Sequence, residues 1–196
     1  TELNNIFLEV IIANGFDNAA VKILKKKKNL RLIDATNFKI KDLVRFNSAN
    51  EAILTQSEDF KKFNIKDFKI VSKKKPTKSQ LKNLIFAFNV CRYVKSNAIV
   101  LASQKATVGI GSGQPSRLDS CQIAIDKMYK FKNFNEEVVA ASDAFFPFLD
   151  GIEKLVQAGV SAVIQPSGSI RDKEIIKFAN ETNTILVFSK TRHFRH

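Results

Sequence analysis

The 196-residue chain is 44% hydrophobic and carries a formal charge of +13, which allows one large domain or two small ones with a real core and excludes disorder as a description of the whole. No run approaches the roughly 18 consecutive apolar residues of a membrane span, and the N-terminus shows neither a basic leader nor a small-residue cleavage site, so a soluble, cytoplasmic protein with no membrane partner is expected. The cysteines are Cys91 and Cys121 and the histidines His193 and His196, which make neither a disulfide framework nor a zinc cluster; both cysteines are expected in the core.

The positive charge suits nucleic acid, an anionic membrane surface or small polyanions and does not choose among them. The lysine runs 25–28 and 73–75 lie between predicted elements and read as solvated loops. No RNA-binding sheet signature, zinc finger or helix-turn-helix pattern accompanies them. A basic nucleic-acid-binding module is the alternative to the reading developed below.

Residues 7–13 form an apolar, β-branched run of strand length, broken by Asn14-Gly15 before Asp17, a good helix cap. A helix carrying Ala20, Val21, Ile23 and Leu24 and a second strand at 30–33 give βαβ grammar. From Asp34 to Lys66 the pattern weakens, and only a short strand at 52–55 is predicted. A strand at 68–72 precedes Pro76, and Thr77-Lys78-Ser79-Gln80 spells a capping box. Leu81, Leu84, Ile85, Phe88 and Cys91 follow at helical spacing, so this helix, continuing to Val94, buries one face as a packing element.

Residues 98–102 suit a strand covered on both faces. Asn97, at the corner before it, reads as a turn former ahead of a ligand contact. A strand at 107–110 runs into the glycine-rich turn 108–117 and a helix through Ile123, Ala124 and Met128. The turn lacks the Walker lysine and the dinucleotide spacing, yet the helix start and Arg117 favour an anion. A polar link, Lys130-Phe131-Lys132-Asn133, leads to a strand at 138–141 and the aromatic turn Ser142-Asp143-Ala144-Phe145-Phe146-Pro147-Phe148-Leu149-Asp150. Its phenylalanines are expected mainly in the core, with one ring able to face a flat heterocycle. A helix at 151–158, strand 160–165, loop 166–169, helix 172–180 and strand 184–188 complete the βαβαβ tail. The two loaded loops should leave one sheet edge together, where a ligand is expected. The closing Arg192-His193-Phe194-Arg195-His196 is a further candidate site element.

Taken jointly, several stretches resemble one family, the bifunctional purine-biosynthesis enzymes that join AICAR transformylase to IMP cyclohydrolase, in the C-terminal part of the transformylase region. They are 7–13 with 26–31, Lys95-Ser96-Asn97-Ala98-Ile99, Val108-Gly109-Ile110-Gly111 through Arg117, 142–148, Gln165-Pro166-Ser167-Gly168-Ser169 and 192–196. They span nearly the whole chain in family order. The resemblance implies an α/β fold, a cytidine-deaminase-like three-layer α/β/α sandwich with a mixed, largely parallel sheet. Residues 1–75 would complete part of a preceding subdomain and 76–196 would form the C-terminal one.

It further implies transfer of a formyl group from the cosubstrate 10-formyltetrahydrofolate to AICAR, in a homodimer with sites at the interface, without zinc and without a nucleic-acid partner. By the same resemblance Asn97, Arg117, Phe145 and Arg192 contact AICAR, while Leu118, Asp150, Ser169 and Ile170 lie on the folate side. Asn97 and His196 are the catalytic candidates. The pattern departs at Leu149, where arginine is usual, and at Ser48-Ala49-Asn50, where a Gly-Gly pair is usual. No Lys-His dipeptide occurs in the chain, although the family's catalytic pair is one. The chain therefore reads as a truncated piece of a longer protein, inactive alone. The absence of His-x-Glu and Pro-Cys-x-x-Cys excludes deaminase zinc chemistry.

Overall fold

The computed structural model describes residues 2–39, 44–59, 65–130 and 137–195, which fall into two compact units, 1–58 and 59–196. In the smaller unit β1 (Val10–Ala13) pairs in parallel with β2 (Arg31–Asp34). Between them runs α1 (Asn18–Leu24), capped by Asp17, whose carboxylate accepts from the Ala20 amide at 2.6 Å. This is the βαβ unit expected from the sequence. A hairpin of β3 (Val44–Ala49) and β4 (Ala52–Ser57) follows. At its turn Asn50 takes φ 51°, a left-handed conformation that asparagine tolerates better than most residues.

In the larger unit β5 (Phe68–Ile70), β6 (Ile99–Ser103), β7 (Ala106–Gly111), β8 (Val138–Ser142), β9 (Val160–Pro166) and β10 (Ile185–Ser189) form one mixed sheet in the order β5-β10-β9-β8-β6-β7. Strands β8, β9 and β10 are mutually parallel, β6 is antiparallel to β8, and β7 is antiparallel to β6. Four of the six strands therefore share one direction, opposed by β5 and β6. The stretch before Pro76 supplies β5, so the unit begins upstream of the capping box.

Helix α2 (Lys78–Cys91) covers one face of this sheet. Helices α3 (Arg117–Lys130), α4 (Asp150–Gln157) and α5 (Asp172–Glu181) cover the other. The result is the three-layer α/β/α sandwich. Alternation along each strand explains the sorting: Ile99 and Leu101 of β6 face α3, whereas Val100 and Ala102 face α2. Because both faces are covered, all five residues of β6, β8 and β10 are buried, and their sequences read as unbroken apolar runs. The Thr77 hydroxyl accepts from the Gln80 amide at 3.1 Å and the Gln80 side chain accepts from the Thr77 amide at 2.9 Å, which is the predicted capping box. Cys91 and Cys121 are both buried, in the clusters on opposite faces.

Gly109 and Gly111 have a structural use. They lie inside β7, where a Cβ would stand 2.0 Å from the Ala124 carbonyl oxygen and 1.9 Å from that of Ser120. These glycines let the backbone of α3 lie against the strand. Of the link read at 130–133, residues 131–133 lie outside the described residues.

Candidate functional site

A cleft of about 500 Å³ opens where β8 ends and where α3 and α4 begin. This is the carboxyl end of the parallel strands, the usual ligand position in such sheets. The glycine-rich turn supplies Pro115, Ser116, Arg117 and Leu118, the aromatic turn Phe145, Pro147, Phe148 and Asp150, the corner before β6 Asn97, and the last strand's extension Arg192 and Phe194. The two loaded loops do meet at one sheet edge.

Arg117 is the first residue of α3, and its guanidinium turns inward, 9% exposed. It donates to the Ser142 hydroxyl at 2.9 Å, to the Asp143 carboxylate and to the Asn97 side-chain oxygen at 2.8 Å. Asp143 is fully buried; its second oxygen accepts from the Ser96 hydroxyl. A carboxylate at that depth is retained because a cation and a hydroxyl compensate its lost hydration. Three of the five guanidinium N–H groups are thereby spent, leaving two for the cleft. Arg117 is a charge matched within the fold, a more constrained role than the expectation of an open cation at a helix start.

Asn97 is equally committed. Its side-chain amide donates to the carbonyls of Gln114 and Pro115, both at 2.9 Å, its own carbonyl accepts from the Ser120 hydroxyl at 2.8 Å, and its side-chain oxygen takes Arg117. It knots the corner to the glycine turn and still lines the cleft, so turn former and cleft residue describe the same side chain.

The three phenylalanines of the aromatic turn divide. Phe146 is 1% exposed and packs on Gly151, where a Cβ would come within 2.7 Å of the ring; its amide donates to the Gln165 side chain at 3.2 Å. Phe145 is half-buried and lines the cleft. Phe148 is 54% exposed, with the Arg171 guanidinium 5.1 Å from its ring centre. One ring lies in the core, one turns toward the cleft and one sits at its rim, so fewer are buried than the sequence led one to expect, while the ring able to face a ligand is present.

Arg192 is exposed, with its guanidinium carbon 4.0 Å from the Phe194 ring centre, a geometry that holds the long side chain over an aromatic face. Leu118 is half-buried and Asp150 exposed, its carboxylate accepting from the Gly151 amide at 2.7 Å. Ser169 and Ile170 do not line the cleft. They occupy the loop before α5, where Ile170 is fully exposed and the Ser169 amide donates to Asp172; only the adjoining Arg171 reaches toward the rim. His196 lies outside the described residues.

Sequence reasoning missed Ser96, Ser142 and Asp143 as site residues. A usable signal existed for Asp143, an acid directly after the apolar strand β8, although nothing in the sequence pairs it with the arginine that opens the preceding helix α3. Phe194, named with the closing segment as a candidate site element, lines the cleft beside Arg192.

The thiols are the groups whose titration departs most from the ordinary. Burial pushes Cys121 up from the usual 9.0 to about 12 and Cys91 well above the usual value, with Asp143 adding to the latter. Neither is a nucleophile at neutral pH. Among the described residues no group of three or more His, Cys, Asp or Glu is arranged to hold a metal, and no helix is long and apolar enough to cross a membrane.

Comparison with known sequences gives this cleft a setting. The profile of the AICARFT/IMPCHase bienzyme family matches residues 1–127. The chain is 47% identical over 193 residues to the bifunctional purine biosynthesis protein PurH of Buchnera aphidicola, covering 97% of this chain and 36% of that protein. It is 46% identical over 197 residues to PurH of Oenococcus oeni, covering 100% of this chain and 38% of the relative, and 45% identical over 196 residues to PurH of Persephonella marina, covering 99% and 38%. The chain thus spans somewhat over a third of the length of these relatives and belongs to the AICARFT/IMPCHase bienzyme family.

Proposed function

We propose that the cleft is the nucleotide side of an AICAR formyltransferase site, at which 10-formyltetrahydrofolate gives its formyl group to the 5-amino group of AICAR. Two observations support the reading together: membership in a family whose PurH members are named as bifunctional purine-biosynthesis proteins, and a cleft that pairs two arginines with aromatic rings. In the reaction the amine nitrogen attacks the formyl carbon, giving a tetrahedral oxyanion. Collapse breaks the bond to the folate N10, which takes up a proton while the amine loses one. Arg192 and the two open N–H groups of Arg117 suit the nucleotide's phosphate or carboxamide oxygens. The Phe145 face suits the flat imidazole. Leu118, Asp150 and the rim carrying Phe148 suit the pterin side, with Ser169 and Ile170 reaching it only once a ligand bridges the rim.

Asn97 serves as the rigid carrier of Arg117 and as a hydrogen-bonding wall, and His196 is the candidate proton carrier. The family's Lys-His pair is absent from this sequence, so we assign this chain a partial site that needs polypeptide from elsewhere. The smaller unit favours the same conclusion: among its described residues only Leu24 is buried, while Phe7, Ile12, Phe38, Phe46 and Ile53 are at least 66% exposed. Such a surface suits coverage by the remainder of a transformylase region, within a cytoplasmic homodimer whose sites lie at the interface.

The test is formyl transfer from 10-formyltetrahydrofolate to AICAR, followed by the appearance of tetrahydrofolate, with the chain alone and mixed with the remaining portion of a PurH relative. No turnover alone and turnover on mixing is the expected result. Turnover by the chain alone overturns the division of labour. Failure to bind AICAR, with salt-sensitive binding of nucleic acid instead, favours the basic-module alternative.

A further inference from the structure

Outside the cleft lining, His193 is a buried titratable side chain that the chemistry above leaves unused. Its ring is 1% exposed and lies 4.5 Å from that of Phe88 at 51°. Nδ1 faces a carboxylate oxygen of Asp59, residues 134 apart in sequence. A carboxylate only accepts, so Nδ1 is the protonated nitrogen. Nε2 is buried without a hydrogen-bond partner among the described residues, so all the polar contacts of the ring run through Nδ1.

Burial alternates around His193, from Thr191 to Phe194. Thr191 and His193 are buried, at 7% and 1% exposed, while Arg192 and Phe194 line the cleft. The backbone is tied down on both sides: the His193 amide donates to the Asp143 carbonyl at 3.0 Å, the Arg195 amide to the Ser96 hydroxyl at 3.0 Å, and the Ser96 amide to the Arg195 carbonyl at 2.8 Å. These backbone bonds are blind to side-chain identity. A strap shifted by two residues would keep the same alternation and remake equivalent bonds. Two strap side chains distinguish the observed register. On the exposed side the Arg195 guanidinium donates to the Tyr93 carbonyl at 2.8 Å. In the buried position the compact ring of His193 lies between Phe88 and Asp59, where threonine is too short to reach both and the longer arginine would bring a fixed charge into a site only 1% exposed.

We propose that His193, locked on Asp59, is a positioning residue that fixes the register of the strap 191–195 and so delivers Arg192 and Phe194 to the cleft. The consequence for ligand binding rests on the reading of the cleft as an AICAR site; the consequence for the strap does not.

The test uses the 196-residue chain. Amide hydrogen exchange, read without ligand, is expected to accelerate at Arg195 in His193→Leu and in Asp59→Ala, and to stay near wild type in His193→Asn, whose side-chain amide can donate from about the position of Nδ1. Unchanged exchange at Arg195 in His193→Leu and Asp59→Ala overturns the proposal, and Asp59→Ala keeps the question answerable if His193→Leu does not fold. AICAR affinity by calorimetry is expected to fall about tenfold in His193→Leu and in Arg192→Ala, and no further in the double variant, because one acts through the other. Additive losses overturn the positioning role, since a merely structural histidine would act independently of Arg192. A wild-type chain that does not bind AICAR refutes the function assigned to the cleft, while the exchange data still decide the strap.

Discussion

Arg117 and Asp143 set the terms of the site at the level of single residues. The pair is buried on both sides, at 8% and 1% side-chain exposure, so removing one partner strands the other. Arg117→Met, which keeps most of the volume, is expected to lower unfolding free energy by about 3–5 kcal/mol in a denaturant titration; a loss under about 1 kcal/mol would mean that water or Ser96 compensates Asp143. The cysteines give a pH prediction. A thiol whose pKa is raised on folding holds its proton in the native state while the unfolded chain has already lost it. Stability is therefore at its full value below pH 9.0 and declines as pH rises toward about 12. Alkylation at pH 8 should leave Cys91 and Cys121 unmodified in the native chain and modify both in denaturant. Their burial was legible from residue type alone. The partnership of Arg117 with Asp143 was not, because it depends on which way a helix's first side chain turns.

The elements most visible in the sequence were those whose stability is local or whose burial is complete. The capping box of α2 needs only four residues, and β6, β8 and β10 needed only their unbroken apolar runs. Thr77→Ala should cost about 1 kcal/mol without changing the denaturant slope. Gly111→Ala should be far worse than Gly113→Ala: at the former the new methyl meets the Ser120 carbonyl, while at the latter the nearest atom is the flexible Lys95 side chain at 3.8 Å and the cost is that of φ 68° alone, about 1 kcal/mol. Melting the two variants side by side checks this ordering. Strand β3 escaped notice because its apolar-polar alternation lasts only over Val44-Arg45-Phe46-Asn47 before Ser48-Ala49 breaks it, and five of its six residues are exposed, so no buried face supports it. The turn between β6 and β7 was equally silent. Gln104 and Lys105 both take positive φ, 47° and 58°, in a two-residue hairpin where glycine or asparagine would have announced it.

For the whole molecule the contrast, among the described residues, is between a larger unit that holds nearly all of the buried apolar side chains and a smaller one in which Leu24 alone is buried. Native-state hydrogen exchange should give the amides of β8, β9 and β10 protection close to the global unfolding free energy, and those of β1 to β4 much less; equal protection would show that residues 1–58 bury their apolar side chains by self-association. The sequence disclosed the sheet edge that gathers the site, since strand-to-helix loops in an α/β layer all emerge there. It disclosed nothing of His193 with Asp59, because contacts between residues 134 apart leave no trace in local periodicity. That contact also bears on connectivity. Asp59 opens the larger unit and His193 lies near its close, so the two ends of this unit stand side by side. A short peptide joining them, with new ends opened at the exposed turn Gln104-Lys105, would preserve every strand pairing of the sheet. The larger unit is in this sense a ring that happens to be cut beside its own clasp, and it can be appended to other polypeptide at that single point without the sheet having to be threaded through anything else.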